Sequence, residues 1–106
     1  MQTYNQCVAL TDRQKKHLRR LGHALHPVVL IGQRGLTGGV LTELARALHD
    51  HELVKVRARV GNRQNRDSVL ATLAGVTGSE LVYQIGNVGL FYKKNNKLNT
   101  ILLPDS

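Results

Sequence analysis

Apolar residues recur along this chain in two rhythms, and the switches between them mark out its elements. Leu18, Leu21 and Leu25 are spaced by three and four, so they line one side of a helix. That helix is predicted to begin at Thr11, which forms a capping box with Gln14, and to stop before Pro27. Val28, Val29, Leu30 and Ile31 are apolar without interruption, the pattern of a central strand covered or flanked on both sides. A second helix is predicted over about Thr37 to His51, with Val40, Leu41, Leu44, Ala45 and Leu48 as its buried stripe. The next run, Leu53 to Val60, alternates strictly. Val54, Val56, Ala58 and Val60 point one way, and Lys55, Arg57 and Arg59 the other. One face of the sheet is therefore expected to be apolar and the other wet and basic, with helices packed on one face only at this strand.

Residues 61–65 read as a polar turn into a third helix, whose stripe is Val69, Leu70, Leu73 and Val76 and whose C′ glycine is Gly78. Leu81 to Ile85 and Leu90 to Lys93 read as strands joined at Gly86-Asn87-Val88-Gly89, an antiparallel hairpin. Ile101-Leu102-Leu103 is expected to add a short edge segment. The order is α-β-α-β-α-β-β, a two-layer α/β (α+β) fold with a four-stranded mixed sheet. Its β-α-β crossovers are expected to be right-handed, which makes the strands they join parallel. With 106 residues, one domain over 11–104 accounts for the chain, and residues 1–10, which carry no period, form a flexible lead.

Between the first strand and the second helix the chain reads Gly32-Gln33-Arg34-Gly35-Leu36-Thr37. Glycines there permit positive φ and remove Cβ atoms, so another backbone can come close. The helix start, with Thr37 as N-cap, supplies N–H groups and partial positive charge that suit a phosphate. Arg34 adds a full charge. An isolated Gly-x-x-Gly is a weak signal, as Gly86-Asn87-Val88-Gly89 in the same chain illustrates. That second copy lies between two strands with no basic residue inside it and no helix after it. Context separates the two.

Charge sharpens the picture. The chain has 15 Lys and Arg against 7 Asp and Glu, a net +8, and the whole excess lies in residues 1–66, with 12 basic and 4 acidic side chains. Such asymmetry in a folded domain suggests a side facing a polyanion, either nucleic acid or an anionic membrane surface. Arg13, Lys15, Lys16, Arg19 and Arg20 crowd the first helix, on faces its apolar stripe leaves open; a merely solvated helix face would look the same. Aromatic residues make up 4% of the chain, too few for extensive base stacking. Tyr83, Phe91 and Tyr92 are assigned by default to packing. Backbone and shape recognition of a structured nucleic acid fits this better than reading of single strands.

Catalytic and metal chemistry find no constellation. His49-Asp50-His51 places two imidazoles at i and i+2, which diverge on a helix, and no cysteine or paired carboxylate completes a ligand set. No Gly-Lys-Ser/Thr phosphate loop occurs. The chain is expected to be a non-enzyme without metal, cofactor or small-molecule substrate. No apolar run reaches the roughly 20 residues that span a bilayer, and the N-terminus lacks a secretory h-region. Cys7 alone cannot form an internal disulfide. A cytoplasmic monomer that engages no membrane is the simplest expectation.

A broader pattern joins these residues. Leu10-Thr11 with Gln14-Lys15 opens the first helix, His26 to Gly32 leads into the loop Gln33-Arg34-Gly35-Leu36-Thr37, and Gly39-Val40-Leu41 follows. His49 to Val56 and Gln84-Ile85-Gly86 complete it. Together the block from Leu10 to Pro104 resembles the CRM domain family, in particular its small stand-alone bacterial members of the YhbY type. The resemblance implies an RNA-binding domain similar in fold to the C-terminal domain of translation initiation factor three. It also implies association with precursors of the large ribosomal subunit. The family's Gly-x-x-Gly loop is compared with that of KH domains, which clamps RNA backbone; by position that role falls on Gly32, Gln33, Arg34 and Gly35. Two departures stand out: Gly38 replaces an acidic residue common in relatives, and Arg34 replaces a polar one. Two other readings use the same charge, a basic adaptor docking on acidic proteins and a DNA-binding architectural module. RNA-contacting residues are therefore expected among the loop, Thr37, the first-helix cations, Lys55, Arg57 and Arg59.

Overall fold

A computed structural model describes residues 10–95, 101, 103 and 104. The lead through Ala9, with Cys7, lies outside the described residues, as do Lys97 and Leu102. The elements run α1 (Asp12–Gly22), β1 (Val29–Ile31), α2 (Gly38–His51), β2 (Leu53–Ala58), α3 (Arg63–Thr77), β3 (Glu80–Ile85) and β4 (Val88–Tyr92). Local chemistry sets most of these boundaries. Thr11 and Gln14 form both halves of the capping box at α1. The Thr37 hydroxyl accepts from the Val40 amide at the start of α2, and the Asn62 side chain accepts from Asn65 at the start of α3. Gly78 ends α3 in the left-handed conformation, φ 70°.

The sheet has the order β1-β2-β4-β3. β1 and β2 are parallel, with Ile31 opposite Ala58, and β4 runs antiparallel to both β2 and β3. The mixed sheet and the β3–β4 hairpin are as the sequence pattern predicts. The second crossover differs in detail: β2 and β3 point the same way, but β4 is inserted between them. The hairpin turn is tighter than expected. Ile85 pairs with Val88, so the loop is Gly86-Asn87, with Gly86 at φ 56°, and Gly89 lies inside β4.

Two apolar clusters lie on opposite faces. Val29, Ile31, Val54, Val56, Ala58 and Phe91 pack against Leu44 and Leu48 of α2 and Leu70 and Leu73 of α3. On the other face Leu53, Val82, Leu90 and Tyr92 pack against Leu18 of α1, with Leu25, Ile101 and Leu103 at the margin. Each fully buried Leu or Phe contributes about 1.5–3 kcal/mol of transfer free energy. The two-layer expectation, with helices on one face, therefore needs correction: α2 and α3 obey it, and α1 covers part of the second face. Ile101 and Leu103 form no strand; they pack against this second cluster instead.

β1 corrects another expectation. It is an edge strand, and only Val29 and Ile31 are buried, while Val28 and Leu30 remain 54% and 61% exposed. α1 reaches β2 and β3 but leaves β1 bare on that face. An unbroken apolar tetrapeptide thus meets a core on one side only.

Candidate nucleic-acid interface

Parallel pairing of β1 and β2 brings both of their following loops to the same end of the sheet. One leads to α2 and the other to α3. The hairpin turn joins them there, because Ala58 donates its amide to the Asn87 carbonyl at 2.7 Å. Arg59 donates its amide to the Ile31 carbonyl, next to Gly32. The second Gly-x-x-Gly is therefore a neighbour of the first rather than a remote copy.

The first loop is a β-turn closed by the Gly35 amide on the Gly32 carbonyl at 2.9 Å. Gly32, Gln33 and Arg34 are exposed and Gly35 is half-buried. The glycines do different jobs. Gly35 has φ 72°, which a side chain resists. Gly32 has no positive φ, and a Cβ built there meets nothing within 4 Å. The fold does not require a glycine at 32; its bareness leaves a clear surface beside the turn. Gly38 is equally open. Thr37 caps only the Val40 amide, so Gly38 and Gly39 begin α2 with N–H groups that have no intrahelical acceptor. Around them Thr42, Glu43 and Arg46 line a shallow depression.

The proposed basic row on β2 divides three ways. Lys55 donates its Nζ to the Leu25 carbonyl at 3.1 Å, which staples β2 to the segment after α1. Arg57 is half-buried beside the exposed Leu30, in register across the β1–β2 pair, and its Nε is enclosed without an acceptor among the described residues. Arg59 is exposed. The wet, basic face is thus wet mainly toward the loop end.

On α1, Arg13, Lys16 and Arg20 are exposed and share a face at i, i+3 and i+7. Lys15 is half-buried, and Arg19 stacks over Tyr83 with its guanidinium carbon 4.0 Å from the ring centroid. Arg19 therefore has a partner within the fold, and Tyr83 is its platform. Sequence reasoning did not bring Arg46, Arg63 and Arg66 to this end of the sheet. The signal existed: parallel β1 and β2 oblige α2 and α3 to start at one end.

No arginine side chain donates a hydrogen bond among the described residues, and no lysine or arginine there makes an ion pair. His49 Nδ1 lies 3.4 Å from Asp50 Oδ1, between two exposed groups. By contrast Lys93, at the opposite end of the sheet, donates to the Thr77 carbonyl at the close of α3. That opposite end also carries Asp50, Glu52 and Glu80, and beside it runs an apolar groove of about 600 Å3 lined by Leu21, Leu25, Val28 and Leu53 among others. No three His, Cys, Asp or Glu gather as a metal site among the described residues, and no described helix is long and apolar enough to cross a membrane.

Comparison with known proteins agrees with this architecture. The chain is 47% identical over 92 residues to a Pseudomonas aeruginosa protein named probable RNA-binding protein, covering 87% of this chain and 88% of that one. It is 35% identical over 88 residues to a Haemophilus influenzae protein named RNA-binding protein, covering 83% and 89%. A solution structure of a Staphylococcus aureus protein, described as a candidate RNA-binding protein, superposes with a TM-score of 0.79 at 32% identity, over 91% of this chain and all of that one. Residues 10–93 match the model of the CRS1 / YhbY (CRM) domain. With most of its length matched and the fold shared, the chain belongs to the CRS1/YhbY (CRM) domain family.

Proposed function

We propose that this chain binds RNA, holding the phosphate backbone at the Gly32–Gly35 turn and the start of α2. Cations of the loop end and the Arg13–Lys16–Arg20 face flank that contact. The observation that carries the reading is the unpaired state of the arginines other than Arg19: the described chain supplies no carboxylate or carbonyl to them, while its lysines at 55 and 93 are bonded to backbone. Unpaired guanidinium groups beside a bare turn suit a polyanion. The names carried by the relatives support RNA as that polyanion. Within this reading the protein is a monomeric cytoplasmic domain over 11–104 that catalyses no reaction. Its RNA is ribosomal RNA of large-subunit precursors, and its role is ribosome assembly, as the family resemblance suggests.

A salt titration tests the binding. Affinity for a large-subunit ribosomal RNA fragment should fall steeply between low and moderate salt, with a slope set by the number of phosphates neutralised. An affinity flat in salt would support the adaptor reading. Fractionation of a lysate on a sucrose gradient tests the assembly role: the protein should sediment with large-subunit precursors and not with mature ribosomes.

A further inference from the structure

The β2–α3 junction carries a second set of cations that the Gly32–Gly35 turn does not use. Arg59 leaves the end of β2, Arg63 opens α3, and Arg66 lies one turn further on. Arg59 and Arg63 are exposed. Arg66 is half-buried, and its Nε is enclosed with no acceptor among the described residues. The acid nearest in sequence, Asp67, is already engaged: Gln84 Nε2 donates to its Oδ1 at 2.7 Å, which ties α3 to β3. Nothing described neutralises the three arginines.

We infer that Arg59, Arg63 and Arg66 form a second phosphate-contacting cluster, which receives the backbone of the same RNA after it leaves the turn before α2. This rests on the RNA-binding reading above and extends it from Arg59, at the edge of that site, to Arg63 and Arg66 of α3. Neighbouring strands lie about 4.8 Å apart and packed helices about 8–10 Å apart. The two junctions are therefore separated by a distance that a nucleic-acid strand covers in roughly two to four nucleotides. Arg59 stands between them, held against Ile31 through its amide. Arg66 is only half-buried and its Nε has no acceptor among the described residues, so no bond of the described fold holds its guanidinium in place. The cluster contacts phosphates rather than bases, so it adds affinity without sequence preference.

The test uses the full chain and a fluorescein-labelled stem–loop of large-subunit ribosomal RNA, read by anisotropy across a salt series. The Arg59→Ala/Arg63→Ala double variant should bind about tenfold more weakly, with its log–log salt slope shallower by about one to two. Its melting temperature should be unchanged. Arg66→Lys keeps the charge and removes Nε; it should weaken binding severalfold without a shift in melting temperature. If the double variant keeps wild-type affinity and slope while Arg34→Ala is weakened, the second cluster is wrong and the RNA reading stands. If Arg66→Lys raises the melting temperature at wild-type affinity, its Nε serves no ligand and Arg66 leaves the cluster. If the wild type shows no salt-dependent binding, both readings fail.

Discussion

The amide of Arg59 donates to the carbonyl of Ile31 across 2.8 Å, which fixes an exposed arginine against the residue that precedes Gly32. Arg34, inside the turn, and Arg59, beside it, are thus supplied by different strands to one spot. Arg34→Ala should weaken RNA binding by about 1–3 kcal/mol, the size of a charge-assisted hydrogen bond. Stability should change by less than about 0.5 kcal/mol, because Arg34 is exposed and unpaired. Arg59 serves a neighbouring phosphate, so the binding losses of Arg34→Ala and Arg59→Ala should add in the double variant. Isothermal titration calorimetry and thermal melts on wild type, the two single variants and the double variant decide this.

The two loop glycines should separate folding from recognition. Gly35→Ala places a Cβ at φ 72° and should cost about 1–2 kcal/mol of stability. Gly32→Ala meets no atom of the fold and should melt within about 0.5 kcal/mol of wild type. It should nonetheless bind RNA more weakly, because the methyl occupies the surface that the backbone approaches. Wild-type affinity for Gly32→Ala would remove that surface from the interface.

A control for the interface belongs at the far end of the sheet. Val88 pairs with Arg57 next to the candidate site, so a change in the hairpin turn is not remote. Lys94 is exposed beyond the C-terminal end of β4. Lys94→Ala should leave RNA affinity within about twofold, whereas Arg13→Ala/Lys16→Ala/Arg20→Ala should lose several phosphate contacts and flatten the salt slope. An equal loss per removed charge in the two variants would indicate attraction by net charge alone.

Tyr92 sets an alkaline limit on the fold. Burial pushes its phenol above the usual tyrosine range, and the negative charge of Glu52 pushes the same way. A raised folded-state pKa means that the folded chain holds the proton more tightly than the unfolded one. The associated stability is complete below about pH 10, the unfolded value, and is lost as pH rises beyond it. The hydroxyl is enclosed without a partner among the described residues, so Tyr92→Phe should be close to neutral at pH 7. The variant should also lose less stability than wild type between pH 9 and 11. Denaturant melts over that range measure both.

Local chemistry made much of the fold legible. The Thr11–Gln14 box, the Thr37 cap, the Gly78 stop and the alternation of Val54, Val56 and Ala58 each depend on neighbours within a few residues, so the sequence carries them. Strand order does not work that way. Val28 to Ile31 reads as central because it is apolar throughout, yet it forms an edge, and no residue within it encodes that β4 inserts beside β2. The same ignorance of long-range pairing left the Lys55–Arg57–Arg59 face open to water, when α1 covers part of it and Lys55 staples the cover down. At the candidate site the turn, Arg34 and Arg59 were legible. Arg63 and Arg66 were not, since their nearness to that turn depends on which strands lie side by side.

Insertion of β4 between β2 and β3 bears on how the chain acquires its structure during synthesis. β4 is the last of the described strands to emerge, yet it occupies an interior position and delivers Phe91, fully enclosed, to the main core. Until it arrives, β2 and β3 have no strand between them, and their facing edges stay unpaired. A nascent chain that ends before Val88 can close the β1–α2–β2 unit but cannot finish the sheet. Folding should therefore complete in a single late step, with the arginine-rich end exposed on the nascent chain before the sheet behind it is whole.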